Sequence, residues 1–562
     1  MSATQSNLSG ARYGYDFVVA TTQASINSTM KEYLSGATMP EVRMYYNMDK
    51  KGNPVLVDQA TLMTQLNNTD PFKLKEWDGD DDDDVPDYLD VINSSKFMYA
   101  FRAKIGLAPG YDPSDLPDII SLNPDNKSVV FQLMCSEFQV VEANGDRAGL
   151  TSYINQSQPD GNAWMFKATV DLKSVTDSTN LPPAVQQQVN NLGDTAFSVQ
   201  QLIFDLDNAL LDTSASIEGI EPGSAVDTAL KGVFMGAYFS ALQAAGKPVL
   251  GYTIQQSQVD PSTLKLSDFE LQANPFVDAS GNEIQLAVDE EGLLTLNYLC
   301  AANGNTLPPA VPFNWNWVEN DQEAGEFDGV IAINRNTIAN YFKNELNVPV
   351  LSNSFLPYVH VYLSDLDTHI NYEWNLTAGQ QPTISAPATG KTVLSYSYSN
   401  SASDQAGLNG DEGQMTLSPS YTLQVDFTGN QIVITQHLLI YAKVKVELSS
   451  DSGNIIDKTI VDTYTLEIDD YGRLTANLDS QTTDNSQTPG VNGFLNFFSK
   501  VNDLTESVEQ WVQGLTATSF TDIPLSVIQD FVFPGGKTFL FKDAVFSDNQ
   551  DLVGHISYAD PS

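Results

Sequence analysis

The side chains with the clearest chemical potential in this sequence are acidic. The stretch WDGDDDDDVPD places five aspartates, Asp80 to Asp84, next to one another. Adjacent carboxylates repel each other, which favours a solvated loop, and a bound divalent cation is the alternative that would relieve the repulsion. The stretch lacks the glycine and the distal glutamate of an EF-hand. We therefore expect a solvated loop, and the alternative is a weak Ca²⁺ site at Asp80, Asp82 and Asp84.

Motifs of catalytic and cofactor sites are missing from the sequence. The four histidines are His360, His369, His437 and His555, and none lies in an HExxH motif. No serine lies in a GxSxG motif, and the two GKT triplets, at 390–392 and 536–538, lack the first glycine of a phosphate-binding loop. These observations predict a protein that is not an enzyme and holds no cofactor. An enzyme assembled from residues distant in sequence is the alternative.

Composition limits the partners. The 562 residues carry a net charge of -44, from 71 acidic and 27 basic residues. A field of this sign repels phosphate backbones, so we expect no nucleic-acid partner. No apolar run reaches the roughly 18 residues of a transmembrane helix, so we expect no integral membrane segment.

The N-terminus and the cysteines bear on the compartment. The opening MSATQSNLSGARYG has no charged segment followed by an apolar one, so we predict no signal peptide. Cys135 and Cys300 each lie in an apolar, strand-like run, where a buried free thiol is expected and a single disulfide is the alternative. A cytoplasmic protein follows, with release by a non-classical route as a further option.

Two segments of the chain have similar sequences, and we call them the echoed segments. YDFVVATTQASINSTMKEYL, at 15–34, aligns without gaps on FDGVIAINRNTIANYFKNEL, at 327–346, an offset of 312 residues. Both patterns predict a short apolar strand, a polar turn and a helix. The inward helical positions are Ile26, Met30 and Leu34 in the first segment and Ile338, Phe342 and Leu346 in the second.

A second pair of segments keeps the same offset. VNNL at 189–192 matches VNDL at 501–504, and each lies in a three-four apolar spacing that predicts an amphipathic helix, over 185–203 and 494–515. Two landmarks with one spacing predict a duplicated domain. We place the domains at 1–310 and 311–562, because the proline-rich segment NTLPPAVPFNWNWVEND, at 305–321, lies between them.

Long alternating strands dominate the region between the echoes. YTLQVDF, IVITQHLLIYAKVKVEL and IIDKTIVDTYTLEI are separated by turn residues and predict consecutive antiparallel strands. Runs of this length exceed the usual strand, so we expect a sheet that twists and curls around an amphipathic helix. TLKLSDFEL, at 263–271, resembles TFLFKDAVF, at 538–546, and each precedes a final apolar strand. The predicted class is α+β and rich in β-structure.

One further helix is predicted at residues 224–246, in SAVDTALKGVFMGAYFSALQAAG. Its apolar side chains cover most of its circumference, which is typical of a helix buried in the protein core or against an apolar ligand. Gly232 and Gly236 leave one strip of lower relief on this helix, where an apolar chain could lie close to the backbone. The candidate lipid-lining residues are Val226, Leu230, Val233, Phe234, Gly236 and Phe239.

The opening YGYDFVV and the closing FPGGKTFLFKDAVFSDNQDLVGHISYAD resemble the TULIP (tubular lipid-binding) superfamily. Within it, the chain is similar to the forty-seven-kilodalton and OrfX proteins encoded beside some botulinum neurotoxin genes, and to their relatives in insecticidal loci. The resemblance implies two tandem TULIP-like domains, each a long twisted antiparallel sheet wrapped around a long amphipathic helix. It implies no catalytic residue.

The function expected from this resemblance is non-enzymatic. The chain would bind a lipid or another apolar ligand as a toxin-associated or insecticidal accessory component. The alternative is a structural or chaperone-like protein-interaction subunit with no bound ligand. A protein partner from the same gene cluster is a further option.

Overall fold

The computed structural model describes residues 2–36, 41–79, 86–122, 128–146, 149–158, 163–176, 196–212, 223–224, 251–256, 266–320, 325–363, 370–408, 411–446, 449–470, 472, 474–487, 531–532 and 538–559. Strands outnumber helices in this part of the chain, and their pairing is antiparallel. The α+β, β-rich class predicted from the sequence is therefore present at this level.

The described elements are as follows. Up to residue 302 the strands are β1 (Phe17–Thr22), β2 (Glu41–Met48), β3 (Pro54–Val57), β4 (Phe97–Ile105), β5 (Ile120–Leu122), β6 (Ser128–Asp146), β7 (Gly149–Ser157), β8 (Met165–Thr176), β9 (Ala196–Asp212), β10 (Gly251–Gln256), β11 (Leu266–Asn274) and β12 (Thr295–Ala302). The later strands are β13 (Gly329–Ile333), β14 (Leu356–Leu363), β15 (Ile370–Thr377), β16 (Thr383–Ser385), β17 (Thr392–Ser399), β18 (Ala402–Leu408), β19 (Asp411–Thr428), β20 (Gln431–Val446), β21 (Ser449–Ile468), β22 (Leu474–Asp484), β23 (Phe531–Val532), β24 (Thr538–Phe541), β25 (Val545–Phe546) and β26 (Leu552–Ala559). The α-helices are α1 (Gln23–Gly36), α2 (Gln59–Gln65), α3 (Leu89–Ser95), α4 (Arg335–Glu345) and α5 (Asn347–Asn353). Short 3-10 turns occur at Ala3–Gln5, Pro71–Lys73, Pro113–Asp115 and Val288–Leu293.

Three sheets and one separate hairpin organise these strands. The central sheet has the order β11-β12-β1-β13-β26-β24, with β25 also on β26. The N-sheet has the order β23-β10-β9-β8-β6-β4-β2-β3, with β5 and β7 also on β6. The C-sheet has the order β16-β17-β19-β20-β21-β22, with β18 also on β19, and β14 pairs with β15 alone. The central sheet thus draws strands from both ends of the chain.

The echoed segments fold as predicted. β1 is followed directly by α1, and β13 is followed by α4 after a single residue, Asn334. The side chain of Asn334 caps α4 by accepting a hydrogen bond from the backbone N–H of Asn336 at 2.8 Å. The predicted inward positions that the structure describes are buried: Ile26, Met30, Ile338, Phe342 and Leu346. The strand-then-helix prediction is confirmed at both places.

The long strands predicted near residues 421–468 also form. β19, β20 and β21 pair in antiparallel order along almost their whole length. The turn between β19 and β20 is two residues long and begins with Gly429, whose φ of 60° is typical of a type II′ hairpin turn. Cys135 and Cys300 are buried and free, as expected, with no disulfide between them.

The two outer sheets are covered differently. Beyond the N-sheet, α2 and α3 pack Leu62, Leu66 and Ile92 against Tyr45 and Val141 on the strands, so this part of the sheet is buried on both faces. The C-sheet alternates along β19 between buried apolar residues and partly or fully exposed serines and threonines. One face of the C-sheet is therefore apolar and the other polar, which is typical of an antiparallel sheet with one solvated face.

One sequence interpretation needs correction. The three-four spacing over 185–203 predicted a helix, but residues 196–212 form strand β9, and residues 185–195 lie outside the described part of the chain. An apolar residue every second position along β9, such as Leu202, Phe204 and Leu206, fits a strand equally well, and pairing with β8 decides the outcome.

The proline-rich segment at which we place the domain boundary is packed against the protein. Its residues Phe313, Trp315 and Trp317 are buried against the outer face of the central sheet.

The division into domains 1–310 and 311–562 stays a prediction. So does the long helix at the centre of each domain, because residues 225–250 and 488–530 lie outside the described part of the chain.

Candidate functional site

The centre of the molecule has a local two-fold arrangement. β1 pairs with β13, and Val19 lies opposite Ile331, which is its own counterpart at the 312-residue offset. On either side, β12 flanks β1 and β26 flanks β13, followed by β11 and β24. Reading the sheet from either edge therefore meets equivalent strands in the same order. The strands of the two echoed segments, β1 and β13, therefore pair with each other at the centre of the sheet.

Asp16 stands just before β1 and ties the two echoed segments together. Its carboxylate accepts hydrogen bonds from the backbone N–H of Ala302 at 2.8 Å and from the hydroxyl of Thr337, at the start of α4, at 2.8 Å. Its backbone carbonyl accepts from the N–H of Asn334 at 2.9 Å. Asp16 therefore holds the start of the helix that belongs to the other echo.

Asp328 makes the equivalent contacts in the opposite direction. Its carboxylate accepts from the backbone N–H of Tyr558 at 2.6 Å and from the hydroxyl of Ser25, in α1. Its backbone carbonyl accepts from the N–H of Thr22 at 3.1 Å. Because every donor is the counterpart of a donor to Asp16, the two aspartates form a reciprocal pair. We interpret both as structural groups, since their oxygens accept bonds that position helix starts and strand ends.

A third aspartate has no such counterpart. Asp551 is fully buried, and its carboxylate accepts from the hydroxyl of Ser6 at 2.7 Å, the N–H of Leu8 at 2.6 Å and the N–H of Arg335 at 3.0 Å. Burial raises the pKa of Asp551, although these hydrogen bonds and the charge of Arg335 oppose the rise. The carboxylate joins the N-terminal segment, α4 and the last hairpin at one point.

The guanidinium of Arg335 is buried beside it. It donates to the carbonyl oxygens of Pro387 at 2.9 Å, Thr392 at 3.1 Å and Gly390 at 3.2 Å. Burial lowers the pKa of Arg335, and the charge of Asp551 opposes this. Since its donors are used on backbone carbonyls, Arg335 orders the loop before β17 and is unsuited to binding a substrate.

The inner faces of all three sheets contribute to one continuous apolar interior. Members from the central sheet include Phe17, Tyr298 and Ile331, and the N-sheet and the C-sheet add residues of β4, β6, β19, β20 and β21. Along the C-sheet this interior is interrupted by buried polar groups. Oε1 of Gln436 accepts from the hydroxyl of Tyr421 at 2.8 Å, and Lys458 and Asp462 of β21 are buried on the same face of the sheet. Burial raises the pKa of Asp462, and a hydrogen bond from Ser480 opposes the rise. An apolar surface of this extent is suited to packing or to holding an apolar molecule.

The apolar interior reaches solvent along β2. Met44 and Tyr46, two residues apart on one face of the strand, are 7% and 6% exposed, whereas Met48, the next residue on that face, is 44% exposed. Opposite them on β3, Leu56 pairs with Tyr46 and is 55% exposed. We call Met48, Pro54 and Leu56 the open end of the apolar interior.

Tyr46 lies where buried and exposed parts of this face meet. Its ring stacks on Tyr99 with centroids 4.7 Å apart, and burial raises the pKa of its hydroxyl. That buried hydroxyl has no hydrogen-bond partner in the structure. An unsatisfied buried hydroxyl is costly and unusual in a native protein.

The β14–β15 hairpin covers another part of the interior. Gly413, in β19, has no room for a side chain, because a Cβ atom would lie 2.8 Å from the hydroxyl oxygen of Tyr372 in β15. That hydroxyl donates to the carbonyl of Lys445 at 2.8 Å, which pins the hairpin to the end of the C-sheet. The interior is thus closed by protein at this end and open at the β2–β3 hairpin.

The candidate residues from the sequence lie elsewhere. Asp80, Asp82 and Asp84, and the predicted lipid-lining residues Val226, Leu230, Val233, Phe234, Gly236 and Phe239, fall outside the described residues. Within the described part of the chain, no group of three His, Cys, Asp or Glu side chains is arranged to hold a metal ion. None of the helices described is long and apolar enough to span a membrane.

The open end was missed from the sequence. PVLV, which forms β3, has no period that separates an exposed from a buried face. The alternation in EVRMYYNM does place Met44, Tyr46 and Met48 on one face, and this was the available signal.

Comparison with known proteins gives only distant likenesses. No known family profile and no curated protein sequence matches the chain. Among solved structures, the chain is similar to P47 of Clostridium botulinum E1, with 10% identity over 97% of this chain and 100% of that one and a TM-score of 0.44. It is also similar to a lipopolysaccharide binding protein, with 9% identity over 98% of this chain and 99% of that one and a TM-score of 0.26. Likenesses this distant assign neither a family nor a function to the chain.

Proposed function

We propose that this protein is a non-enzymatic carrier that holds a lipid or another elongated apolar ligand along its apolar interior. The observation that carries the proposal is the continuity of the inner face of the β2–β3 hairpin, from buried Met44 and Tyr46 on β2 to exposed Met48 on β2 and Leu56 on β3. A soluble protein normally ends its core in polar residues, so an apolar face that continues into solvent marks a place where an apolar partner enters or lies.

The dimensions of the sheets fit a long ligand. β20 has 16 residues, and at about 3.3 Å per residue a strand of that length spans roughly 50 Å. Its inner face carries Ile432, Ile434, Leu438 and Ile440, all buried. An extended hydrocarbon chain could contact such a face through dispersion and the hydrophobic effect alone, without a charged anchor.

The unpartnered hydroxyl of Tyr46 also supports binding of an elongated apolar ligand. The hydroxyl lies beside the open end. A ligand whose hydrocarbon chain pointed inward would place its polar head group at this end. One hydrogen bond from such a head group would satisfy the hydroxyl. Replacing Tyr46 with phenylalanine would then weaken binding of a ligand that has a polar head and leave a pure hydrocarbon unaffected.

The test uses two matched substitutions in one hairpin. Leu56 faces the interior and Val55 faces the other side of β3, and they are 55% and 47% exposed. We expect Leu56→Asp to slow the uptake of a fluorescent fatty acid several-fold, because the hydrocarbon chain of the ligand would have to move past a carboxylate. Val55→Asp should leave uptake within about twofold of the unmodified protein, because a side chain on the other face does not meet the ligand.

Equal effects of the two substitutions on fatty-acid uptake would contradict the proposal. Such a result would indicate a general effect of added charge, which does not depend on the face of β3 that carries it. Absence of saturable fatty-acid binding to the unmodified protein would contradict it outright.

The second candidate function is a structural or chaperone-like subunit with no ligand. The feature that favours it is the tight burial of the C-sheet inner face, where Met415, Leu417, Val425 and Ile440 are 0% exposed, as in a filled core. A toxin-associated role, and a partner from the same gene cluster, remain predictions from the sequence resemblance.

A further inference from the structure

The β14–β15 hairpin has a second face that takes no part in the apolar interior. β14 alternates strictly, with Pro357, Val359 and Val361 buried while Leu356 and Tyr358 are exposed. The residues on the outward face are Leu356, Tyr358, His360 and Tyr362 of β14 and, opposite them in register, Thr377, Asn375, Glu373 and Asn371 of β15. We call these eight residues the aromatic row.

The rings of the row are held in place. His360 stacks on Tyr362 with ring centroids 5.2 Å apart and an angle of 17° between the planes. Nδ1 of His360 lies 3.2 Å from the carboxylate of Asp404, which also accepts from the backbone N–H of Val361 at 2.8 Å. The hydrogen bonds from Val361, Gln405 and His360 lower the pKa of Asp404. A carboxylate fixed in this way orients the imidazole ring, so the pair is arranged before any ligand arrives.

Tyr358 completes the row on the same strand. Its ring is 53% exposed and lies two residues from His360, a separation of about 6.6 Å along the strand. Asn375 lies directly opposite Tyr358, and Glu373 lies opposite His360. Amide and carboxylate groups therefore flank the aromatic rings at about 5 Å, the distance between neighbouring strands.

We propose that the aromatic row is a binding site for a neutral carbohydrate. Tyr358 is well exposed, and the C–H face of a pyranose ring is attracted to the negative face of an aromatic ring of this kind. His360 and Tyr362 hold one ring face against each other and extend the row beside it as a stacked pair. Asn375 and Glu373 lie opposite Tyr358 and His360 in register, and an amide N–H donates to sugar hydroxyls whereas a carboxylate accepts from them. The site is independent of the apolar interior, because it lies on the opposite face of the hairpin.

Other occupants fit less well. The eight positions include no lysine or arginine, and Glu373 and nearby Asp404 would repel an anionic lipid surface. A stable protein interface takes about 20 to 30 residues on each side, several times the size of this row. A quaternary ammonium is attracted to aromatic rings, but it is held in a cage that surrounds it, and these rings follow one strand of an open face.

The experiment is affinity electrophoresis of the full chain through gels containing soluble neutral polysaccharides, namely laminarin, dextran, xyloglucan and galactomannan. A glycan array of neutral oligosaccharides covers other linkages. We expect retardation by at least one polysaccharide, and a roughly 3- to 10-fold weaker apparent affinity for Tyr358→Ala and for Tyr362→Ala. Tyr358→Phe keeps the ring, so its apparent affinity should stay within about twofold of that of the unmodified protein. The melting temperature of each variant, which we expect to be unchanged, verifies that the variant is folded.

Three results would overturn the proposal. The first is no binding to any polysaccharide or array glycan. The second is binding that Tyr358→Ala leaves unchanged, which places the carbohydrate elsewhere. The third is loss of binding in the presence of choline chloride but not of sodium chloride, which identifies a cation site.

Discussion

The central sheet and the β2–β3 hairpin satisfy opposite physical requirements. At the centre, the buried or half-buried carboxylates of Asp16, Asp328 and Asp551 accept hydrogen bonds from backbone N–H groups and hydroxyls. At the hairpin, Met48 and Leu56 leave apolar surface in water although residues 44–47 of β2 are buried. The contrast indicates that stability is concentrated at the centre, where the echoed segments meet, and that binding is located at the open end.

The largest effect is expected from Asp551→Ala. Three donors, from Ser6, Leu8 and Arg335, would lose a fully buried acceptor. We expect the free energy of unfolding to fall by about 3–5 kcal/mol, because each buried donor left without an acceptor costs about 1–3 kcal/mol. Urea unfolding followed by circular dichroism measures it, and Asp548→Ala, an exposed carboxylate on the same loop, should cost less than about 0.5 kcal/mol. Similar losses for both variants would remove the special role of Asp551.

The reciprocal aspartates should behave as a matched pair. We expect Asp16→Ala and Asp328→Ala each to cost about 2 kcal/mol, because each leaves a backbone N–H and a hydroxyl without an acceptor. Their costs should agree within about 0.5 kcal/mol, and double-mutant cycles of Asp16 with Thr337 and of Asp328 with Ser25 should give coupling energies of about 1 kcal/mol. A large cost for one aspartate beside a negligible cost for the other would break the two-fold description.

The pH dependence of Asp551 has a definite sign. Burial raises its pKa in the folded state, so folding favours the protonated form. The contribution of this group to stability is then fully present below the unfolded-state pKa, near 3.9, and is lost as the pH rises through the higher folded-state value. We expect the cost of Asp551→Asn to be larger at pH 4 than at pH 8. A cost that grew with pH would show that the carboxylate is stabilised in its charged form.

The smallest effect on stability is expected at the open end. Leu56→Asp and Val55→Asp replace side chains that are already about half exposed, and each should change the free energy of unfolding by no more than about 0.5 kcal/mol. The two variants should then differ only in ligand uptake. A loss of several kcal/mol for Leu56→Asp would mean that the hairpin is packed in solution and that the interior is closed.

Local features of the fold could be predicted from the sequence. The strand-then-helix pattern at both echoes, the antiparallel strands β19 to β21 and the buried thiols of Cys135 and Cys300 follow from periodicity and turn residues. The register that brings Val19 opposite Ile331 does not, because it pairs residues about 300 positions apart and no local signal encodes it. The same holds for Asp16 and Asp328, whose partners come from the other echo.

The features that were not predicted from the sequence have physical causes. The apolar spacing over 196–203 fits a helix and a strand, and pairing of β9 with β8 and β10 decides between them. In the segment FNWNW, the two-residue spacing of Phe313, Trp315 and Trp317 was the signal of a one-sided buried stretch, but the paired prolines were interpreted only as marking a domain boundary. At the open end, the alternation along β2 predicts the face on which Met48 lies, but the exposure of Met48 and Leu56 depends on where the neighbouring strands stop.

The most direct test of the proposed carrier function is native mass spectrometry of the purified full chain, before and after extraction with organic solvent. A carrier should give a species heavier than the polypeptide by the mass of a small apolar compound, loss of that extra mass on extraction, and recovery of the compound in the organic phase. A single species at the polypeptide mass, with nothing in the extract and no saturable fatty-acid uptake afterwards, would contradict it and favour the ligand-free structural subunit.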